Sequence, residues 1–223
     1  KQPRWPECHL PLWVKQLDLA TRREKILEFI SKVVERYKER HEVIAWQIEN
    51  EPFLKSFGEE CFSDESFLKK EIQTVKAISN KPIIVTDSGE LGNWVIPMQL
   101  ADIFGTTLYR DVYDKLFGHV TYPLPSYFYN IKANLVKTLL NQKDKRVIVV
   151  ELQAEPWAKN YGLADESITD QIRLLPVGKF KANIDYAKRA GFNEAYLWGV
   201  EWWYFMKEHG HPEYWDFAKT LFR

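Results

Sequence analysis

The chain has 223 residues, of which 45% are hydrophobic and 15% aromatic, enough to bury a sizeable core. Its formal net charge of +0 argues against a nucleic-acid partner held through phosphates, and no apolar run reaches membrane-spanning length. The two cysteines, Cys8 and Cys61, are too few for a disulfide framework and read as free thiols.

The opening Lys1-Gln2-Pro3-Arg4-Trp5-Pro6-Glu7-Cys8-His9 has no initiator Met and no signal-peptide form, and reads as a loop leaving an earlier strand. Thr21 is expected to cap a helix, with Glu24 as its capping-box partner. Ile26, Phe29, Ile30, Val33, Val34 and Tyr37 follow as one apolar stripe, and the helix should end near Arg40. The run Val43 to Ile48 has the length of a buried strand, and Pro52 ends any ladder. Asn50 and Glu51 then sit at the strand's carboxyl end.

Ser63 or Asp64 starts a second helix through about Ser79, with Phe67, Leu68, Ile72, Val75 and Ile78 inward. A strand from Ile83 to Thr86 ends in Asp87-Ser88-Gly89-Glu90, and a short helix spans Val95 to Leu100. The next strand, Ile103 to Leu108, ends at Tyr109-Arg110. After the turn-rich Tyr122-Pro123-Leu124-Pro125 comes a helix from about Ser126 to Leu140. The strand Val147 to Val150 delivers Glu151, and a long loop passes Trp157 and Tyr161. Helical material from Glu166 to Gly191 breaks around Pro176-Val177-Gly178. A last strand, Glu194 to Trp198, runs into Gly199-Val200-Glu201-Trp202-Trp203-Tyr204, and a helix from about Pro212 to Phe222 closes the chain.

Strand–helix alternation with apolar strands implies α/β class, a parallel sheet covered by helices. An open doubly wound sheet and a run of a (β/α)8 TIM barrel both fit. No Gly-rich phosphate loop follows the first strand, and polar residues gather at the ends of several strands, which suits the barrel. Residues 1–223 are expected to form a single incomplete barrel domain. Two strands each end in a glutamate, and paired carboxylates are what acid-assisted cleavage of a glycosidic bond requires.

Trp46 with Asn50-Glu51-Pro52, then Glu151, then Trp198, resembles the clan of retaining TIM-barrel glycoside hydrolases, clan A. That clan carries its acid/base Glu, after an Asn, on the barrel's fourth strand and its nucleophile Glu on the seventh. Glu151 falls on the third strand after Glu51, which matches that count. The resemblance implies a partial (β/α)8 barrel holding strands four to eight, with strands one to three absent. The opening loop, Glu151-Leu152-Gln153-Ala154-Glu155-Pro156-Trp157 and Trp198-Gly199-Val200-Glu201-Trp202-Trp203 are similar to uncharacterised bacterial glycosidase-like proteins.

The implied reaction is retaining hydrolysis of a carbohydrate substrate. Glu51 protonates the leaving oxygen and Glu151 attacks the anomeric carbon, which needs carboxyls about 5 Å apart. Ionised Glu151 nearby should raise the pKa of Glu51. Asn50 is assigned to the sugar 2-hydroxyl and Tyr109 to the Glu151 oxygen not used for attack. Glu155 is a rival nucleophile, because Glu155-Pro156 repeats the form of Glu51-Pro52. Trp46 alternates with Gln47 and should pack in the core, whereas Trp198 and Trp202 offer flat faces for a pyranose. Gln153 is expected to point at substrate, and Arg4, Trp5 and His9 to reach it from the first loop. Glu7, Asp87, Glu90 and Glu201 are strand-end acids without an assigned role. His209-Gly210-His211 lacks a spaced third ligand, so neither metal nor organic cofactor is expected.

Two other readings stay open: a non-catalytic carbohydrate-binding remnant of a barrel, and a half-barrel subunit that needs a partner. Five strands leave two open edges. An N-terminal segment, a rearranged loop or a second copy is expected to cover them. The compartment is not fixed by the sequence, with the cytoplasm favoured.

Overall fold

The computed structural model describes residue 8 and residues 10–55, 64–114, 116–159 and 162–222. Arg4, Trp5, Glu7, His9, Cys61, Ser63 and Tyr161 lie outside the described residues. The chain begins with α1 (Leu12–Lys15), α2 (Leu19–Tyr37), β1 (Trp46–Gln47), α3 (Glu65–Lys76), β2 (Ile83–Asp87), α4 (Val95–Leu100) and β3 (Ile103–Leu108). It continues through β4 (Asp111–Asp114), β5 (Gly118–Thr121), α5 (Tyr127–Leu139), β6 (Arg146–Gln153), α6 (Ile168–Leu174) and α7 (Val177–Ala190). It ends with β7 (Ala195–Trp198), α8 (Val200–Glu208) and α9 (Glu213–Thr220).

Five strands form one sheet in the order β1-β2-β3-β6-β7, while β4 and β5 pair separately as an antiparallel hairpin. β1 runs parallel to β2, and β6 parallel to β7. A doubly wound sheet reverses its strand order at a switch point. Here the order follows the chain without reversal, as for consecutive strands of a (β/α)8 barrel. The fold is α/β, a partial TIM barrel. The chain divides into two compact units, residues 1–105 with 136–147, and residues 106–135 with 148–223.

In the first unit, Val34, Ile48, Leu68, Ile72, Val75, Ile83, Val85 and Ala101 form the core. Val75 and Ile83 are 0% exposed, and burial of each contributes roughly 1.5–3 kcal/mol. α2 starts earlier than expected. Asp18, not Thr21, is its N-cap, and the Asp18 side chain accepts from the Thr21 backbone N–H at 3.0 Å. The expected inward stripe of α2 is only partly realised: Val34 is buried, whereas Ile26, Phe29 and Tyr37 are exposed. Asp64 caps α3, with its Oδ1 accepting from the Phe67 N–H at 2.7 Å and from Ser66 Oγ at 2.6 Å. The Ser66 hydroxyl first, then the Phe67 N–H, holds the Asp64 carboxyl below the usual carboxylate range. The expected buried strand Val43 to Ile48 shrinks to β1, at one end of the sheet order, and Ile44 is exposed. Trp46 packs against the core as expected, its Nε1–H donating to Ser79 Oγ at 3.1 Å. Cys8 is disulfide-bonded, which corrects the free-thiol expectation. Sequence spacing carries no information on whether two distant cysteines meet.

In the second unit, α6 and α7 break at Leu175-Pro176 as the sequence indicates, and α7 closes on Gly191 at φ +81°. Phe180 of α7 stacks on Trp203 of α8 at 5.3 Å and meets Phe217 of α9 edge-on at 5.1 Å. The Tyr214 hydroxyl donates to the Leu175 carbonyl at 2.9 Å, and burial pushes its pKa up to about 12. The hairpin and α8 are additions to the sequence reading, and β6 runs three residues past the expected end at Val150.

Candidate active site

In the first unit the chain leaves β1 through Ile48, whose N–H donates to the Ile84 carbonyl at 2.9 Å, and then turns sharply. Glu49 at φ +61° and Glu51 at φ +43° both adopt the left-handed region without being glycine. Such backbone is costly and is held only where surrounding contacts fix it. Here the Glu51 N–H donates to buried Thr86 Oγ1 at 2.8 Å, and the Leu54 N–H returns to the Glu51 carbonyl at 3.0 Å. Gln47 Nε2 donates to Asn50 Oδ1 and to the Glu49 carbonyl, each at 3.2 Å. Asn50 and Glu51 are buried, at 2% and 6% exposure. Glu51 lies beyond the last paired strand residue, in a rigid turn and not at the strand tip itself.

Asp87, at the end of β2, spends its carboxylate on the loop that follows. Its Oδ1 accepts from the Ser88 N–H at 2.9 Å and its Oδ2 from the Trp94 N–H at 3.0 Å. A Cβ at Gly92 would sit 2.3 Å from that carboxylate, so the loop requires glycine there. Asp87 is a loop organiser.

In the second unit, Glu151 lies inside β6 and is buried at 7% exposure. The register between β6 and β7 shifts by one residue between Val149 and Leu152, a bulge that contains Glu151. Bulges bend a strand and re-aim the side chains they carry. The Tyr109 hydroxyl, one residue past β3, donates to Glu151 Oε2 at 2.9 Å. Trp157 meets the Tyr109 ring edge-on at 5.2 Å and 90°. Glu155, buried two residues after β6, accepts the Trp198 Nε1–H on its Oε1 at 3.1 Å. This Glu155–Trp198 pair is absent from the sequence reading, which treated the two residues separately. Trp198 is half-buried.

Two expectations are corrected. Trp202 is not an exposed platform: α8 turns it inward to 3% exposure, its Nε1–H donates to Gln171 Oε1 at 2.8 Å, and its ring meets Tyr214 at 4.5 Å. Gln153 does not offer its amide to substrate. Its Oε1 accepts the Arg110 and Asp111 N–H groups at 3.0 Å each, and its Nε2 donates to the Asp111 carbonyl at 2.6 Å. Glu201 is exposed in the first turn of α8. His209 Nδ1 lies 2.8 Å from the Phe205 carbonyl and His211 Nδ1 3.4 Å from Glu213 Oε1. Among the described residues, no group of three or more His, Cys, Asp or Glu could hold a metal ion. No helix among them is long and apolar enough to cross a membrane.

Residues 17–85 match the family model described as beta-galactosidase, glycosyl hydrolase family 42. That segment includes Asn50 and Glu51 and stops short of Glu151. No curated protein matches the chain. Among solved structures, the chain is similar to a beta-glucuronidase from Faecalibacterium prausnitzii at 15% identity and a TM-score of 0.46, covering 79% of this chain and 28% of that one. A GH113 beta-1,4-mannanase aligns at 11% identity and a TM-score of 0.48, covering 86% of this chain and 55% of that one. A beta-glucuronidase from Ruminococcus gnavus aligns at 16% identity and a TM-score of 0.40, covering 79% and 30%. The chain thus spans no more than 55% of the length of these structures. The match to this family model over residues 17–85 agrees with the resemblance to glycoside hydrolases read from the sequence.

Proposed function

We propose that the protein is a retaining glycoside hydrolase that cleaves O-glycosidic bonds of a carbohydrate substrate by double displacement. The observation that carries this reading is the 2.9 Å hydrogen bond from the Tyr109 hydroxyl to Glu151 Oε2. It engages one carboxylate oxygen of a buried strand glutamate and orients the other. That is the arrangement a nucleophile needs.

In the first step Glu151 attacks the anomeric carbon and a glycosyl ester forms. The glycosidic C–O bond breaks, and Glu51 gives its proton to the departing oxygen. In the second step a water oxygen attacks the same carbon, Glu51 takes its proton, and the ester bond breaks to free the sugar and Glu151. Asn50 hydrogen-bonds the 2-hydroxyl, where contacts strengthen in the transition state. Trp198 floors the sugar ring. The steps as written use no metal and no organic cofactor. A β-linkage follows from the resemblance, with modest activity and broad tolerance, because positioning supplies much of the rate.

A panel of nitrophenyl glycosides tests the proposal. Glu51→Gln should lose about 10²–10⁴-fold in kcat/KM, and Glu151→Gln should be inactive. Sugar binding without turnover, unchanged in Glu51→Gln, would favour a non-catalytic carbohydrate-binding protein instead.

A further inference from the structure

Gln153 is 1% exposed, and all three polar partners of its amide are backbone groups of Arg110 and Asp111. Its orientation is forced. Two N–H donors converge on one side, where only the amide oxygen can accept, and a carbonyl on the other, where only the amide nitrogen can donate. These bonds fasten the peptide that directly follows Tyr109 to the strand that carries Glu151. Asn183 of α7 adds a further bond to the same residue, its Nδ2 donating to the Gln153 carbonyl at 3.2 Å.

Tyr109 is the first residue after β3, and the peptide that leaves it is the one whose N–H donates to Gln153 Oε1. The hydroxyl-to-carboxylate distance depends on what fixes the chain after it. A buried amide held by three hydrogen bonds is restrained, and a positioning group displaced by about 1 Å can cost 10²-fold in rate. We propose that Gln153 is the positioning residue of the Tyr109–Glu151 pair: it sets the register between the β3 exit and β6, and so aims the carboxylate that attacks. The inference rests on the glycosidase reading and concerns how its nucleophile is oriented.

The test is a cycle of Gln153→Met, Tyr109→Phe and the double variant, on the nitrophenyl glycoside turned over best, with Glu151→Gln beside them. Gln153→Met keeps the side-chain length and removes all three bonds. It should lower kcat about 10- to 100-fold with KM changed less than about threefold. The double variant should lose no more than about twofold beyond Tyr109→Phe, because both changes release the same carboxylate. A rise in KM that differs from sugar to sugar would make Gln153 a substrate contact and overturn the inference. A lowered Tm with kcat intact per folded molecule would make it purely structural and overturn it equally. Glu151→Gln separates the two levels. Full activity there removes Glu151 as the nucleophile and takes the inference with it, whereas an inactive Glu151→Gln with additive Gln153 and Tyr109 effects ends the inference alone. Should Gln153→Met fail to fold, Gln153→Glu keeps the two acceptor bonds and loses the donor bond to Asp111. It should show a smaller kcat loss, of about 3- to 10-fold, with the same dependence on Tyr109.

Discussion

Gly199 sits between β7 and α8 at φ +142°, and a Cβ there would lie 2.8 Å from the carbon and oxygen of the Ala154 carbonyl group. The same Ala154 carbonyl accepts the Trp203 Nε1–H at 2.7 Å, and the next residue, Glu155, holds Trp198. Gly199→Ala should therefore cost about 1–3 kcal/mol through backbone strain and collision, and calorimetry should show a lower Tm. An unchanged Tm would contradict this close approach. Glu155→Gln should keep most of the turnover that Glu151→Gln loses, since its oxygen is tied to a tryptophan and not to a tyrosine hydroxyl; the reverse pattern would move the nucleophile to Glu155. At this scale, what was legible is the placement of Glu51, Glu151 and Tyr109 in or just past a strand, because each follows an apolar run. Gln153 and Trp202 were misassigned for a common reason. A polar or aromatic letter near a strand end does not say whether its polar edge meets substrate, backbone or a buried glutamine.

The helices show where local signals decide. Asp64 joins three functions at the start of α3: it caps the Phe67 N–H, accepts from Ser66 and pairs with Arg23. Asp64→Ala should cost about 1 kcal/mol, read as a lower urea midpoint, and a midpoint equal to wild type would contradict the cap. At α2, Asp18 takes the cap position expected of Thr21. The Thr21 hydroxyl became a second donor to it at 2.7 Å. α8 was hidden because Trp202-Trp203-Tyr204 has strand-like composition, and only the φ of Gly199 ends β7 and lets a helix begin. The β4–β5 hairpin was hidden because its strands do not alternate cleanly; Val112 is buried while its partner Val120 is exposed. β3 and α4 were read to their observed ends, since a uniformly buried run and a short apolar helix leave little ambiguity.

For the molecule as a whole, the topology was legible because strand–helix alternation admits few orders, and the unreversed order β1-β2-β3-β6-β7 selects the barrel. What the composition could not reveal is how much apolar surface stays exposed, including Phe29 on α2 and Ile131, Leu135 and Leu139 on α5. Burial also stores a pH dependence. Glu71 of α3 is 1% exposed, and desolvation pushes its carboxyl up to about 7 from 4.5. Between those values the folded state keeps a proton that the unfolded state has released. The Glu71 contribution to stability is therefore full below about 4.5 and falls as pH rises through about 7. Urea unfolding should show wild type losing stability relative to Glu71→Gln between pH 5 and pH 8, and a constant difference between the two would contradict it.

The central claim is that Glu151 is the group that bonds to sugar. A 2-deoxy-2-fluoro glycoside with a good leaving group, chosen to match the nitrophenyl sugar that is hydrolysed, would trap the glycosyl ester for peptide mapping by mass spectrometry. The predicted result is one adduct per chain, on Glu151. An adduct on Glu155 or any other carboxylate, or steady turnover of the nitrophenyl sugar with no adduct, would contradict it.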